Sequence, residues 1–126
     1  MENKVKLVFE DRGFKEITYN GAKIQIVPFL SMSQQITLIN NYLDDYFGIN
    51  PERFIKSTGY NLIEADMKLK NYLFQACTNI DATDVDDKIY ADEDFYEELT
   101  GSIENYWAFR QRLVEIVSDV KEQVRM

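Results

Sequence analysis

The sequence contains no histidine and only one cysteine, Cys77. The missing imidazole removes the commonest general base, proton shuttle and metal ligand of proteins. One cysteine without histidine also excludes a conventional zinc site. We therefore expect a protein that is not an enzyme and that uses neither a cofactor nor a metal. Cys77 has no partner for an intramolecular disulfide, which fits a reducing compartment. We interpret it as a small core residue.

Long apolar runs are also absent. No run approaches the roughly 18 residues that a membrane span requires, and the first residues have no apolar core of the kind found in signal peptides. We expect an intracellular protein that does not bind a membrane. With 126 residues, 45% of them hydrophobic and 13% aromatic, the chain is long and apolar enough for a single domain, 1–126.

Negative charge is concentrated in residues 81–98. This segment holds nine acids and one base, and its net charge of −8 equals that of the whole chain, which has 22 acids and 14 bases. The segment is either a solvated acidic loop or a docking surface for a basic partner. As a docking surface it would use Asp84, Asp86, Asp87, Asp92, Glu93 and Asp94.

The acidic segment could also be a calcium-binding EF-hand or a mimic of nucleic acid. An EF-hand does not fit, because the segment has no glycine and Lys88 stands at the fifth position of a loop that begins at Asp84. The acids are interleaved with Tyr90, Phe95 and Tyr96, and such a surface would imitate the phosphate spacing of DNA. That pattern predicts an inhibitor of a nucleic-acid-binding enzyme, unless the aromatic rings belong to the core.

The first part of the chain, 1–30, predicts a three-stranded antiparallel β-meander. Asn20 and Gly21 predict a type I′ hairpin turn between the second and third strands, because such a turn needs positive φ at both central positions. Pro28 closes the meander, since proline cannot donate to a strand ladder. The first strand is predicted from apolar residues with a period of two, namely Val5, Leu7 and Phe9.

The remainder, 31–126, predicts three to four α-helices, so the expected fold class is α+β. Ser31 or Ser33 is the predicted cap of the first helix, and Ser31 with Gln34 has the spacing of a capping box; Gly48 is predicted to end this helix. Its predicted buried stripe is Met32, Ile36, Ile39, Leu43 and Tyr46. Asn61 is the predicted cap of the second helix. The buried face there is Leu62, Leu69, Leu73, Ala76 and Ile80, with Met67 and Cys77 beside it.

The last two helices follow the acidic loop. A short helix with Asp92, Glu93 and Asp94 in its first turn, where the helix dipole favours acids, would be fixed to the core by Phe95 and Leu99. Ser102 is the predicted cap of the last helix. A heptad seam then runs along Ile103, Tyr106, Arg110, Leu113, Val117, Val120 and Val124.

This seam is either core or an interface between subunits, and packing against the first two helices is the favoured interpretation. Arg110 interrupts it, which predicts a pairing with an acid from another helix or another subunit. Trp107, Val114 and Ile116 lie beside the seam and widen its apolar face. The candidate interaction residues of this helix are Arg110, Leu113, Val117, Val120 and Val124.

Residues 15–43 read KEITYNGAKIQIVPFLSMSQQITLINNYL. A short hairpin turns on Asn-Gly, a Pro-x-Leu-Ser sequence follows, and a helix with paired Leu-Ile and Tyr-Leu completes the segment. This segment resembles small proteins encoded among the structural and morphogenesis genes of tailed bacteriophages of low-GC bacteria. Some of those resemble tail assembly chaperones, which shield the apolar helices of the tape-measure protein until tail-tube subunits surround it. Others are minor virion components.

The resemblance implies a non-catalytic protein that acts by protein–protein contact in virion assembly. Its expected partners are other phage structural proteins, namely tape-measure, tail-tube or neck subunits, and a second copy through the C-terminal helix. It implies a location in the host cytoplasm during assembly, or in the virion. We expect no binding to nucleic acid. The alternatives are an acidic inhibitor that mimics nucleic acid and, third, a small carboxylate-dependent enzyme.

Overall fold

The structure, a computed structural model, describes residues 3–47 and 58–125, with side chains at residues 3–47 and 62–123. The fold is α+β, and in this part of the chain a two-stranded antiparallel sheet precedes four α-helices. The strands are β1 (Lys15–Tyr19) and β2 (Ala22–Ile26). The helices are α1 (Met32–Phe47), α2 (Thr58–Cys77), α3 (Glu93–Gly101) and α4 (Tyr106–Arg125), with a 3₁₀ helix at Asp87–Ala91.

The predicted hairpin is confirmed. Asn20 has a φ of 49° and Gly21 a φ of 81°, as a type I′ turn requires. Ile17 pairs with Ile24, and both are buried on the face of the sheet that lies against the helices. The opposite face is exposed.

The outer edge of β2 is covered by the chain that follows α2. The Val27 N–H donates to the Cys77 carbonyl at 2.7 Å, and the Asn79 N–H donates to the Gln25 carbonyl at 3.3 Å. The Gln25 N–H in turn donates to Asn79 Oδ1 at 3.0 Å. These bonds tie the sheet to the carboxyl end of α2.

The predicted first strand is wrong, because residues 3–14 form no strand. Phe9 instead packs on Phe29, with ring centroids 5.1 Å apart. The Arg12 guanidinium lies over both rings, 5.0 Å and 4.7 Å from their centroids, and forms an ion pair with Glu104. These contacts hold the segment beside the chain that leaves β2, and the far edge of β1 pairs with no other strand of the described chain.

The predicted capping box of α1 is confirmed. The Gln34 N–H donates to Ser31 Oγ at 3.1 Å, and the Ser31 N–H donates to Gln34 Oε1 at 2.9 Å. The predicted buried stripe is only partly right, because Met32 and Ile36 are more than half exposed. The buried residues of α1 are Gln35, Leu38, Ile39, Tyr42 and Tyr46, while Leu43 is half-buried. The predicted terminator Gly48 lies outside the described residues.

Burial of a glutamine explains why this stripe is displaced. Gln35 Nε2 donates to the Leu30 carbonyl at 3.2 Å, so its amide is satisfied within the core. Leu38 and Tyr42, at helical spacing from Gln35, turn inward with it. The sequence pattern favoured Met32 and Ile36 because it could not include these hydrogen bonds of Gln35, one of which Oε1 accepts at 3.3 Å from the distant Arg112.

Helix α2 begins at Thr58, before the predicted cap Asn61, whose side chain lies outside the described residues. Leu69, Leu73 and Cys77 are buried as predicted. Leu62 and Met67 are exposed, at 43% and 39%. Ala76 and Ile80 are half-buried, and the sequence interpretation missed the buried Ala65 and Phe74.

Helix α3 is anchored as predicted, since Phe95 and Leu99 are buried. The prediction for Ser102 is wrong, because its N–H donates to the Leu99 carbonyl at 3.1 Å and it closes α3. Helix α4 starts only at Tyr106 and buries Phe109 and Leu113 against the rest of the core. In the part of the chain that the structure describes, no helix has the length and apolar character to cross a membrane.

Candidate interaction surface

The start of α3 is set by one carboxylate. Asp92 accepts hydrogen bonds from the Phe95 N–H at 3.1 Å and from the Tyr19 hydroxyl at 2.9 Å. The bond from the Phe95 N–H, and then that from Tyr19, lowers the pKa of Asp92. The Phe95 ring packs on Tyr19, with centroids 4.4 Å apart. With these groups turned inward, the acids Glu93, Asp94, Glu97 and Glu98 lie on the exposed face of α3.

Lys70 of α2 connects this acidic helix to the body of the protein. Its Nζ donates to the Tyr90 carbonyl at 2.7 Å and to Glu93 Oε1 at 3.1 Å. The same nitrogen lies 4.8 Å from the centroid of the Tyr96 ring. Because the Lys70 side chain is only 12% exposed, this lysine fixes Glu93 and Tyr96 in place.

The six predicted docking acids divide into two groups. Asp86 accepts from the Lys88 N–H at 3.0 Å and caps the 3₁₀ helix. Asp92 caps α3, and Glu93 pairs with Lys70. The others are exposed and form no ion pair or side-chain hydrogen bond with a described residue, and they are Asp84, Asp87 and Asp94. Half of the set therefore supports local structure and half is solvated.

The aromatic residues of the acidic segment pack inward. Tyr90 stacks on Phe74, with ring centroids 5.8 Å apart, and Phe95 is 3% exposed. The hydroxyl of the half-buried Tyr96 lies 2.6 Å from the hydroxyl of Tyr106. Imitation of nucleic acid by this segment would therefore depend on its carboxylates alone.

A hollow of about 530 Å³ lies between α3 and α4. Trp107 forms one side of it and is 73% exposed. Its ring and the Tyr106 ring meet edge to face, with their centroids 5.9 Å apart. We call this feature the Trp107 hollow. Its lining includes Glu93, Tyr96, Glu97, Tyr106, Trp107 and Arg110.

A second hollow, of about 310 Å³, continues along α4. We call it the Val114 hollow, since Val114 is 59% exposed there. Its lining includes Tyr42, Leu62, Asp66, Arg110, Val114 and Val117. Arg110 lines both hollows, and the two together form what we call the α4 surface.

Arg110 is half-buried and forms no ion pair or hydrogen bond with a described residue. The predicted pairing with an acid from another helix is therefore not present in the described part of the chain. Burial raises the pKa of Tyr42 to about 12, and the nearby Arg110 charge acts against that rise. Burial also raises the pKa of Tyr96 and of Tyr106, again against Arg110. These phenols are protonated at neutral pH.

The other seam residues have mixed positions. Leu113 is 1% exposed and belongs to the core, while Val117 and Val120 are half-buried. The side chain of Val124 lies outside the described residues. The exposed apolar groups are instead Trp107 and Val114, which the heptad pattern places beside the seam. In the sequence, only their position beside the seam indicated that these two side chains would be exposed.

Among the described residues, no group of three or more Cys, Asp and Glu side chains is arranged to hold a metal ion. A scan against protein-family models found no matching family, and searches of curated proteins and of solved structures found no match. The function of this chain is therefore inferred from its own residues and contacts.

Proposed function

We propose that this chain is a non-catalytic bacteriophage protein that acts by protein–protein contact in virion assembly. In this proposal it is a tail assembly chaperone or a minor virion structural component, and the α4 surface is the contact site. The observation that carries the proposal is Arg110, which is half-buried without an ion partner among the described residues, between the exposed Trp107 and Val114.

The residue types support contact with another protein. Tryptophan and arginine are the side chains most enriched among residues that dominate binding energy at protein interfaces. A partner helix would cover Trp107 and Val114 and bring a carboxylate to Arg110. Burial of such a charge requires a counter-ion, and the partner would supply one.

The phage assignment is supported by the resemblance of residues 15–43. The segment comprises the β1–β2 hairpin, the capping box and most of α1. This segment is part of the scaffold of the fold and contains no catalytic motif, so the resemblance agrees with a role in binding. The proposed partners are tape-measure, tail-tube or neck subunits encoded beside this protein.

The test is isothermal titration calorimetry of the purified protein with each of the tape-measure, tail-tube and neck proteins encoded beside it. We expect Trp107→Ala to weaken binding at least about tenfold, since removal of a central aromatic anchor costs more than about 1.4 kcal/mol. Phe14→Ala is the matched control, because Phe14 is 69% exposed on another part of the molecule. It should leave the affinity unchanged.

Failure of all three proteins to bind would contradict the proposal. Equal losses for Trp107→Ala and Phe14→Ala would contradict the assignment of the contact to the α4 surface. Circular dichroism of each variant checks that the fold is intact.

The alternative is an acidic inhibitor of a host nucleic-acid-binding enzyme. It is favoured by the three exposed acids without partners among the described residues, Asp84, Asp87 and Asp94. Such an inhibitor would lose affinity steeply as salt rises. Asp84→Lys combined with Asp87→Lys would abolish inhibition, whereas contact through the α4 surface would change little.

A further inference from the structure

The open edge of β1 has a defined hydrogen-bonding pattern. Gln25 lies opposite Glu16, and its N–H and C=O both bond to Asn79 on the side away from β1. In an antiparallel pair, opposite residues direct their backbone groups either toward each other or away from each other. Glu16 therefore directs its N–H and C=O away from β2, and Thr18, two residues on, does the same.

No described residue forms a backbone hydrogen bond with Glu16 or Thr18 on that side. Both residues are exposed. An unpaired strand edge of this kind is a template for the addition of another strand. As far as residues 3–47 and 58–125 are concerned, the sheet therefore has an open strand position beside β1.

A segment with the pattern of a strand pairs with no strand among the described residues. Residues 4–9 have no regular secondary structure and form no backbone hydrogen bond with a described residue. Their alternation puts Val5, Leu7 and Phe9 on one face and Lys4, Lys6 and Val8 on the other. Leu7 is 89% exposed and Val5 83%, so the apolar face is uncovered along most of its length.

The faces of the segment and the edge are complementary. Ile17 of β1 points to the buried face of the sheet, and Glu16 points to the solvent face. A strand that places Leu7 on the Ile17 face necessarily places Lys6 on the Glu16 face. Apolar groups then continue the apolar face, and a lysine lies beside a glutamate, a favourable cross-strand combination.

The segment is held away from the edge of its own β1. Phe9 is stacked on Phe29, and Arg12 is bound to both rings and to Glu104. These contacts fix the base of the segment beside the chain that leaves β2. In a second copy the same contacts fix the base of the segment only relative to that copy's own sheet. They do not hold the segment away from the β1 edge of another molecule.

We propose that residues 4–9 of one copy add a third strand to the β1 edge of a second copy. The occupant is a second copy because neither the segment nor the edge pairs with a described residue of its own chain, and their faces and charges match. This association uses a surface separate from the α4 surface, and it does not depend on the proposed function.

The test is sedimentation equilibrium of the full chain over a wide range of concentrations. We expect self-association that Leu7→Ser weakens more than about tenfold, because the leucine side chain would be buried in the contact and the serine side chain would not. Val8→Ser is the matched control, since Val8 is 81% exposed and adjacent but lies on the opposite face. It should change the dissociation constant by less than about threefold.

Two further measurements identify the edge. Hydrogen exchange should show that the amides of Glu16 and Thr18 become protected as concentration rises. Lys6→Glu and Glu16→Lys should each weaken association, and the double variant should recover it, because the charge pair is then reversed.

Three results would overturn the proposal. The first is a monomer at every concentration. The second is an equal effect of Leu7→Ser and Val8→Ser. The third is association that is lost with Val114→Ser but kept with Leu7→Ser, which would place the contact on α4.

Discussion

Asn105 joins two distant parts of the chain, and its removal is a direct test of the structure. Its Oδ1 accepts a hydrogen bond from the Leu30 N–H at 2.8 Å, and its Nδ2 donates to the Leu30 carbonyl at 2.8 Å. One amide side chain thus fixes the start of α4 to the connection between β2 and α1. The perturbation is Asn105→Ala.

The expected cost follows from what remains at Leu30, which is fully buried. Its N–H loses its partner, and an unsatisfied buried donor costs about 1–3 kcal/mol. Its carbonyl keeps the bond from Gln35 Nε2, so the second loss is an ordinary hydrogen bond of about 0.5–1.5 kcal/mol. We expect a decrease of about 1.5–4.5 kcal/mol in the free energy of unfolding.

The measurement is urea denaturation followed by circular dichroism. Asn79→Ala is the matched control, because Asn79 Oδ1 accepts from the exposed Gln25 N–H, which water can then satisfy. We expect it to cost less than about 1 kcal/mol. If Asn105→Ala costs no more than Asn79→Ala, the Leu30 bridge does not stabilise the fold as described here.

Three further predictions concern a thiol, a carboxylate and a helix cap. Burial raises the pKa of the Cys77 thiol to about 11; we expect Cys77 to react with a thiol reagent only as fast as the protein unfolds, and prompt reaction of the native protein would contradict its burial. The same shift contributes stability below the unfolded pKa of 9.0 that is lost as pH rises through about 11. The pKa of Asp92 is lowered by the Phe95 N–H, so its contribution is present above the unfolded value and lost as pH falls through the folded value. The stability advantage over Asp92→Asn should therefore shrink in acid, and an advantage independent of pH would contradict this reasoning. Ser31→Ala should cost about 1 kcal/mol in urea denaturation, because one side of the capping box is lost; no change would show that the box is dispensable.

Features set by neighbouring residues could be predicted from the sequence. Asn20 and Gly21 accept positive φ whatever surrounds them, so the hairpin followed from two residues. Ser31 and Gln34 satisfy each other across one turn, so the start of α1 followed as well. These interactions span three residues or fewer and need no knowledge of the rest of the fold.

Features that depend on distant partners could not be predicted. The period of two at Val5 and Leu7 indicates a strand, but a strand forms only if an edge is within reach. Arg12 and Phe29 hold the segment elsewhere. Likewise, the apolar spacing of α1 did not reveal that Gln35 would be buried and would accept a hydrogen bond from the distant Arg112.

The candidate surface shows the same division. The sequence indicated that Trp107 and Arg110 lie on one apolar helix, and that residues 81–98 hold all the net charge. It could not show that Phe109 would fill the core while Trp107 remained outside. Nearby positions on a helix cannot all face the core, and the shape of the core determines which side chain is buried.

The α+β order of elements, the hairpin turn, the cap of α1 and the acidic segment could be read from the sequence, because each depends on composition or on residues close in the chain. Which side of each helix is buried, where α4 begins and that β1 is unpaired on one side within the described chain became known only from the folded structure. Those outcomes depend on contacts such as Arg12 with Glu104 and Asn105 with Leu30, which join residues far apart in sequence and exist only when the chain is folded.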